Sequence, residues 1–321
     1  MMTSRIINKV WRILGLALLV STFSTSAAWA QHERWMSRLS DSTPMGHLCL
    51  PGTHDSAAQH GGVMLQTQTS SIAHQLKAGI RAFDIRLREH EGELGLYHST
   101  AFQECTWESD VLPAFIAFLK ENPTEALVVS LKKEGGSDEA YRCLLSQSLT
   151  QPEHTPYYIE HFDADTTLGY CRGKILFLHR DEVMTNYPGC RCEGWADNAT
   201  CILTLRNANQ TTTSLILQDE YEYTSAEEGA PRKLESILKS LRLMHKADAN
   251  QSPDGYSCGI SFISATALPK GFPIQFAEKL NGQVAQTIKK EHLKPKGILF
   301  IDFVASKGGK RLVKELIDCN N

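Results

Sequence analysis

The chain has 321 residues, 42% of them hydrophobic and 21% charged, which is globular composition and excludes a disordered, collagenous or coiled-coil protein. That length fits one large domain or two ordinary ones and excludes a small stapled scaffold. With 33 Lys and Arg against 36 Asp and Glu, the net charge of −3 gives no global basic field, so nucleic acid is excluded as a partner.

Residues 1–30 read as a secretory signal peptide. Arg5, Lys9 and Arg12 form a positive start, Ile13 to Val20 a short apolar core, and Ala28-Trp29-Ala30 places small residues before a cut at Gln31. The apolar core is far shorter than the ~20 residues a spanning helix needs. The expected product is secreted, to the exterior or periplasm, and soluble. It is also more acidic than the precursor, since the lost segment carries no Asp or Glu.

Beyond residue 30, short apolar runs alternate with polar or helical stretches. The runs are His47–Leu50, Ile80–Ile85, Glu93–Tyr97, Ala126–Leu131, Lys174–Leu178, Leu215–Leu217, Gly259–Ile263 and Gly297–Phe303. Their brevity and β-branched or aromatic content predict buried parallel strands. Amphipathic helices are expected at Asp110–Lys120, Glu139–Leu149, Arg232–His245 and Phe276–Lys290. About eight strands alternating with helices predict an α/β fold, a TIM (β/α)8 barrel forming a single domain over residues 31–321. The early strands follow one another too closely for full helices between them, so the barrel is expected to be distorted or incomplete.

All nine cysteines lie in this part of the chain. Export permits pairing, and an odd number leaves at least one thiol over. Cys190, Cys192 and Cys201 fall in a Gly-, Asn- and Thr-rich segment that reads as a loop closed by a disulfide, with connectivity open. A metal clip at Cys190-Arg191-Cys192 lacks the second Cys pair or helical His pair it would need.

Polar residues recur at the ends of the apolar runs. His54 and Asp55 follow the first, Arg86 the second and His98 the third. Lys132 and Glu134 end the fourth, Arg180 follows the fifth, Asp219 the sixth, and Asp302 closes the last. Parallel barrels build their sites at the carboxyl ends of their strands, so these side chains are expected to converge on one mouth. In Leu50-Pro51-Gly52-Thr53-His54-Asp55-Ser56, Pro and Gly predict a tight turn presenting an imidazole beside a carboxylate. In an extended Arg81-Ala82-Phe83-Asp84-Ile85-Arg86, Asp84 and Arg86 share one face, as Lys132 and Glu134 do two strands later.

These pieces together resemble the bacterial phosphatidylinositol-specific phospholipases C, which share the catalytic X domain of larger eukaryotic enzymes. The matching segments are PGTHDS (51–56), RAFDIR (81–86), GLYH (95–98), VVSLKKE (128–134), ILFLHR (175–180), LQDEY (217–221) and ILFIDF (298–303), in family order. The resemblance implies a distorted TIM barrel and a two-step reaction. The inositol 2-hydroxyl attacks phosphorus and expels diacylglycerol, and water can then open the 1,2-cyclic phosphate. It assigns His54 as base and His98 as acid, with Asp302 orienting the base and Asp55 supporting the acid while holding the arginine. The chemistry agrees: displacement at phosphorus needs both a base and an acid, and two histidines suit neutral pH. Arg86 brings a permanent charge to the non-bridging oxygens.

Calcium-dependent relatives carry an acidic residue where this chain has Arg86, and an amide where it has Asp55. Both departures imply that no cofactor is used, neither calcium nor another metal. The resemblance places Lys132, Glu134, Arg180 and Asp219 on the inositol hydroxyls, with Tyr221 able to stack on the ring and Asp84 orienting Arg86. The expected partner is phosphatidylinositol or an inositol-anchored lipid, met transiently at a membrane surface by a monomer. Val63-Met64-Leu65 is the candidate membrane-contact tip. A metal-dependent glycerophosphodiester phosphodiesterase would need a Glu-x-Asp pair, which Asp84-Ile85-Arg86 is not. A catalytically silent inositol-lipid binder would be expected to lack a histidine or the arginine.

Overall fold

The structure, a computed structural model, describes residues 32–181, 188–248 and 255–321. The signal peptide expected at residues 1–30 lies outside them. The strands are β1 (Cys49–Thr53), β2 (Ala82–His90), β3 (Glu93–His98), β4 (Ala101–Thr106), β5 (Leu127–Lys133), β6 (Ile175–His179), β7 (Cys190–Glu193), β8 (Thr200–Asn207), β9 (Thr212–Gln218), β10 (Cys258–Phe262) and β11 (Gly297–Ile301). The sheet runs β1-β11-β10-β9-β8-β7-β6-β5-β2-β3-β4, and β1 also pairs with β2. That extra pairing closes a barrel of nine strands, leaving β3 and β4 as a hairpin extension of β2. Within the closed barrel the neighbours are parallel except around β8, which pairs antiparallel with both β7 and β9, while the β2–β3–β4 extension is antiparallel.

The helices are α1 (Gly62–Leu65), α2 (Ile72–Lys77), α3 (Leu112–Glu121), α4 (Asp138–Leu149), α5 (Leu168–Cys171), α6 (Ala226–Lys246), α7 (Pro273–Glu291) and α8 (Lys307–Asp318). Serines start three of the longer ones, α4, α6 and α8, as their hydroxyls satisfy free N–H groups of the first turn. Ser137, Ser225 and Ser306 accept from the amides of Ala140, Glu228 and Gly309. Strands β6, β10 and β11 are buried throughout, as parallel strands covered on both faces must be.

Each of the eight apolar runs contains or overlaps a strand, and the α/β barrel stands. Four details differ. Glu93–Tyr97 gives β3, an antiparallel strand outside the closed barrel. The Cys190–Cys201 segment is no disulfide-closed loop: it contributes β7 and the start of β8, and all nine cysteines are free thiols. Pro51 and Gly52 lie inside β1 rather than in a turn. A Cβ on Gly52 would stand 2.9 Å from the Phe300 ring and 3.0 Å from Ala82, so only glycine lets β1 sit between its neighbours. Finally, α8 had no counterpart among the expected helices. Its Leu312, Val313, Leu316 and Ile317 form a buried stripe.

Candidate active site

Strand register places the first pair of side chains. Thr53 of β1 lies beside Ile301 of β11, so the next residue of each strand, His54 and Asp302, meets the other just beyond the sheet. The His54 amide donates to the Ile301 carbonyl at 3.2 Å, and His54 Nδ1 stands 2.8 Å from Asp302 Oδ1. On the other side of the ring, Arg86 Nη2 lies 2.8 Å from His54 Nε2. A guanidinium has only donors, so Nε2 must present its lone pair and the ring proton must sit on Nδ1. Asp302 Oδ1 is then the acceptor. Burial and the neighbouring Asp55 push the Asp302 carboxyl upward, while Arg86 and Lys233 oppose them. The tautomer forced by Arg86 makes Asp302 Oδ1 the acceptor. Burial, and next the Arg86 charge, hold His54 well below the ordinary imidazole range, so the resting ring is neutral.

Arg86 stands among carboxylates. Its Nε is 3.3 Å from Asp55 Oδ2, its Nη2 3.3 Å from Asp84 Oδ2 and its Nη1 3.8 Å from Glu134 Oε1. Burial works against its charge, but these three acids together raise its pKa. Asp84 takes both arginines, since Arg180 Nη1 reaches its other oxygen at 3.3 Å. Burial would raise the Asp84 carboxyl, yet Arg86, Arg180 and His54 hold it far below the carboxylate range. Asp55 goes the other way: burial outweighs Arg86 and His98 and lifts it to about 6. Its backbone takes the left-handed conformation, φ 41°, and its amide donates to Asp84 Oδ2 at 3.2 Å. A short polar side chain tolerates that turn.

His98 arrives by a different route. It ends β3, which runs antiparallel to β2, so the hairpin folds the ring back over the mouth. Its Nδ1 donates to the Leu65 carbonyl of α1 at 2.5 Å, and its Nε2 lies 3.5 Å from Asp55 Oδ2. The ring centroids of His54 and His98 are 6.3 Å apart and the rings stand edge to face. With Nδ1–H tied to a carbonyl, the exchangeable proton of His98 is the one on Nε2.

The remaining candidates line the neighbouring strand ends. Lys132 Nζ is 3.3 Å from Glu134 Oε2, and Glu134 Oε1 accepts from the Ser99 amide at 3.0 Å. Arg180 Nη2 is 3.6 Å from Asp219 Oδ2. Tyr221 lies farther out and donates its hydroxyl to Asp197 at 3.0 Å. Burial and then that carboxylate push its phenol up to about 12. Trp195 was missed from sequence. The Arg180 guanidinium stacks on its ring at 3.7 Å, and its indole N–H donates to Asp219 at 2.9 Å. A lone aromatic in a segment read as a loop carried no signal beyond its size.

Comparisons with known proteins place the chain in a family. A model of the phosphatidylinositol-specific phospholipase C X domain matches residues 42–180. The 1-phosphatidylinositol phosphodiesterase of Listeria monocytogenes is 30% identical over 298 residues, covering 88% of this chain and 84% of that protein. The chain belongs to the bacterial phosphatidylinositol-specific phospholipase C family. A second such phosphodiesterase, from Staphylococcus aureus strain Newman, is 27% identical, covering 90% of this chain and 94% of its own. The solved Listeria monocytogenes phospholipase superposes with a TM-score of 0.69 at 28% identity, covering 90% of this chain and 98% of that one. A pentafluoro-Phe form of the Staphylococcus aureus enzyme, 24% identical, shares the fold with a TM-score of 0.76, covering 91% and 99%. As a member, the chain is an enzyme of the phosphodiester-cleaving lyase type.

Proposed function

We propose that this protein is a secreted phospholipase C that cleaves phosphatidylinositol at a membrane surface, as a monomer and without a metal cofactor. The observation that carries this is the His54–Arg86–His98 arrangement. A base with a bare Nε2 and an acid with its exchangeable proton on Nε2 face each other, with a fixed cation at their side. The inositol 2-hydroxyl takes the place of the Arg86 donor at His54 Nε2 and gives up its proton there. Its oxygen bonds to phosphorus, and the bond from phosphorus to the diacylglycerol oxygen breaks. That oxygen receives the Nε2 proton of His98, so charge and protons balance. Asp302 accepts from Nδ1 of the imidazolium, and Arg86 moves onto the non-bridging oxygens. Lys132, Glu134, Arg180 and Asp219 then read the inositol hydroxyls, and Tyr221 and Trp195 wall the ring.

Arg86 supports the metal-free reading because it supplies the positive charge that a divalent ion would otherwise bring to the three acids around it. Among the described residues no helix is long and apolar enough to cross a membrane, and α1 presents Val63 and Met64, 59% and 51% exposed, beside the mouth. The test is diacylglycerol release from phosphatidylinositol with EDTA present, following phosphorus by NMR. The 1,2-cyclic phosphate should appear first, and His54→Ala and His98→Ala should each cost at least ~10³-fold. Activity that EDTA abolishes and calcium restores sinks the metal-free reading. Monoester from the first turnover sinks the cyclising one, and a wild-type chain that binds but never cleaves is a silent member.

A further inference from the structure

Behind the mouth lies a buried lysine with no part in the mechanism above. Lys233 of α6 is 0% exposed, and no other lysine among the described residues is buried. An ammonium taken out of water is tolerated only when its donors are satisfied. A methionine would fill the same volume without that demand. What the ammonium adds is a set of hydrogen bonds in fixed directions, and these all go to one place. Nζ donates to the Glu220 carbonyl, in the segment just past β9. With the Gln218 amide turned to satisfy its neighbours, its oxygen accepts from Nζ at 2.8 Å, and its nitrogen donates to the Phe262 carbonyl at 2.9 Å and Ser261 Oγ at 3.1 Å.

Lys233 therefore clamps the chain on both sides of Asp219, through residues 218 and 220. The same clamp ties β9 to Ser261 and Phe262 of β10, and the Phe262 ring lies 5.8 Å from the Arg180 guanidinium that faces Asp219. We propose that Lys233 is a positioning residue for substrate recognition: it fixes the Asp219–Tyr221 segment in the attitude that binds the inositol ring. This rests on the headgroup role given above to Asp219. Burial brings Lys233 down to about 7, against the opposing pull of Asp219, Glu220 and Asp302.

The test uses the whole protein and three variants, Lys233→Met, Gln218→Met and Asp219→Asn. Each is measured for KM and kcat on phosphatidylinositol, for inhibition by free myo-inositol and for melting temperature. Lys233→Met should raise KM and weaken myo-inositol about 10-fold while kcat stays within about 3-fold, a split that simple loss of stability does not produce. Gln218→Met cuts the same clamp from the strand side and should shift KM in the same direction; it decides the matter if Lys233→Met does not fold. If Asp219→Asn weakens myo-inositol but neither clamp variant does, Lys233 is only structural and the inference fails. If Asp219→Asn leaves myo-inositol binding intact, the headgroup reading fails first.

Discussion

Two arginines five residues apart show how this barrel divides its tasks. Arg81 enters β2 at the closed end and is fully saturated. Its Nε and Nη2 bond Glu125 at 3.0 and 2.8 Å, and carbonyls of Leu76, Ile80 and Glu33 take its other protons. Neither member of that ion pair is exposed at all. Arg86 leaves the same strand at the mouth, and its carboxylates stand off at 3.3 to 3.8 Å. Its one short bond is to the lone pair of His54. A saturated guanidinium holds the fold together and has nothing left to give a ligand. One held loosely by several acids keeps its charge and can still turn to a phosphate.

The largest effect that tests this contrast is on stability. Arg81→Met leaves the Glu125 carboxylate buried without a counter-charge, which costs about 3–5 kcal/mol. Denaturant unfolding should show that loss, while kcat below the unfolding transition stays near wild type. A comparable loss of kcat in a folded Arg81→Met would erase the distinction. Arg86→Lys is the converse. It keeps the charge but loses the planar fork, so turnover should fall about 10²- to 10³-fold. Its midpoint of unfolding should move little, because no saturated hydrogen bond is given up. A large drop in unfolding midpoint with near-normal turnover would show the two arginines doing the same job.

How much of this was legible follows from where each residue sits. His54, Asp302 and Arg180 follow buried parallel strands, and Arg86 stands near the end of the parallel part of β2; their continuous apolar runs announce themselves, and register then does the rest. β7 and β8 did not announce themselves. They are antiparallel and half-exposed, with polar residues alternating through Cys190–Glu193 and Thr200–Asn207, so Gly, Asn and Thr nearby suggested a loop. Trp195, on the connection between them, was lost with them. The glycines that open α8 masked its apolar stripe in the same way. His98 was found by its motif, but its place on a hairpin could not be read from an apolar run. Lys233 gave no signal, since a lysine in an amphipathic helix normally faces water.

The mouth should also respond to pH. Asp55, raised to about 6 by burial, loses its charge as pH falls through that value, and its hold on Arg86 and His98 goes with it. Turnover should therefore decline below about pH 6, by up to tenfold per unit. The sign for stability is opposite. A carboxyl whose folded pKa lies above its unfolded 3.8 binds protons more readily when folded, so Asp55 itself favours the fold as pH falls through about 6. His54 contributes the other way: held below 6.5 in the fold, it adds stability above that pH that is lost as the unfolded imidazole takes up a proton. Activity lost in step with the unfolding midpoint would mean that the acid limb reports melting rather than Asp55.

The smallest effect belongs to the outer rim, where loose holding reaches the surface. α1 begins after Gly61, at φ 99°, with Gly62 also left-handed at 66°, conformations that glycine adopts at no steric cost. The turn aims Val63 and Met64 into solvent, yet Leu65 behind them accepts the Nδ1 proton of His98. One face of a four-residue helix thus touches the surface and the other the acid. Replacing Val63 and Met64 together by Ser removes apolar area that could enter a bilayer, about 2 kcal/mol at ~25 cal/mol per Å², or roughly 30-fold in vesicle affinity. The backbone that holds His98 is untouched, so turnover of a monomeric short-chain substrate should stay within about 2-fold of wild type. Vesicle sedimentation against the monomeric rate separates the two. Unchanged vesicle binding would remove α1 from the membrane contact. A fall in the monomeric rate would show that the two exposed side chains themselves hold the helix, and with it His98, in place.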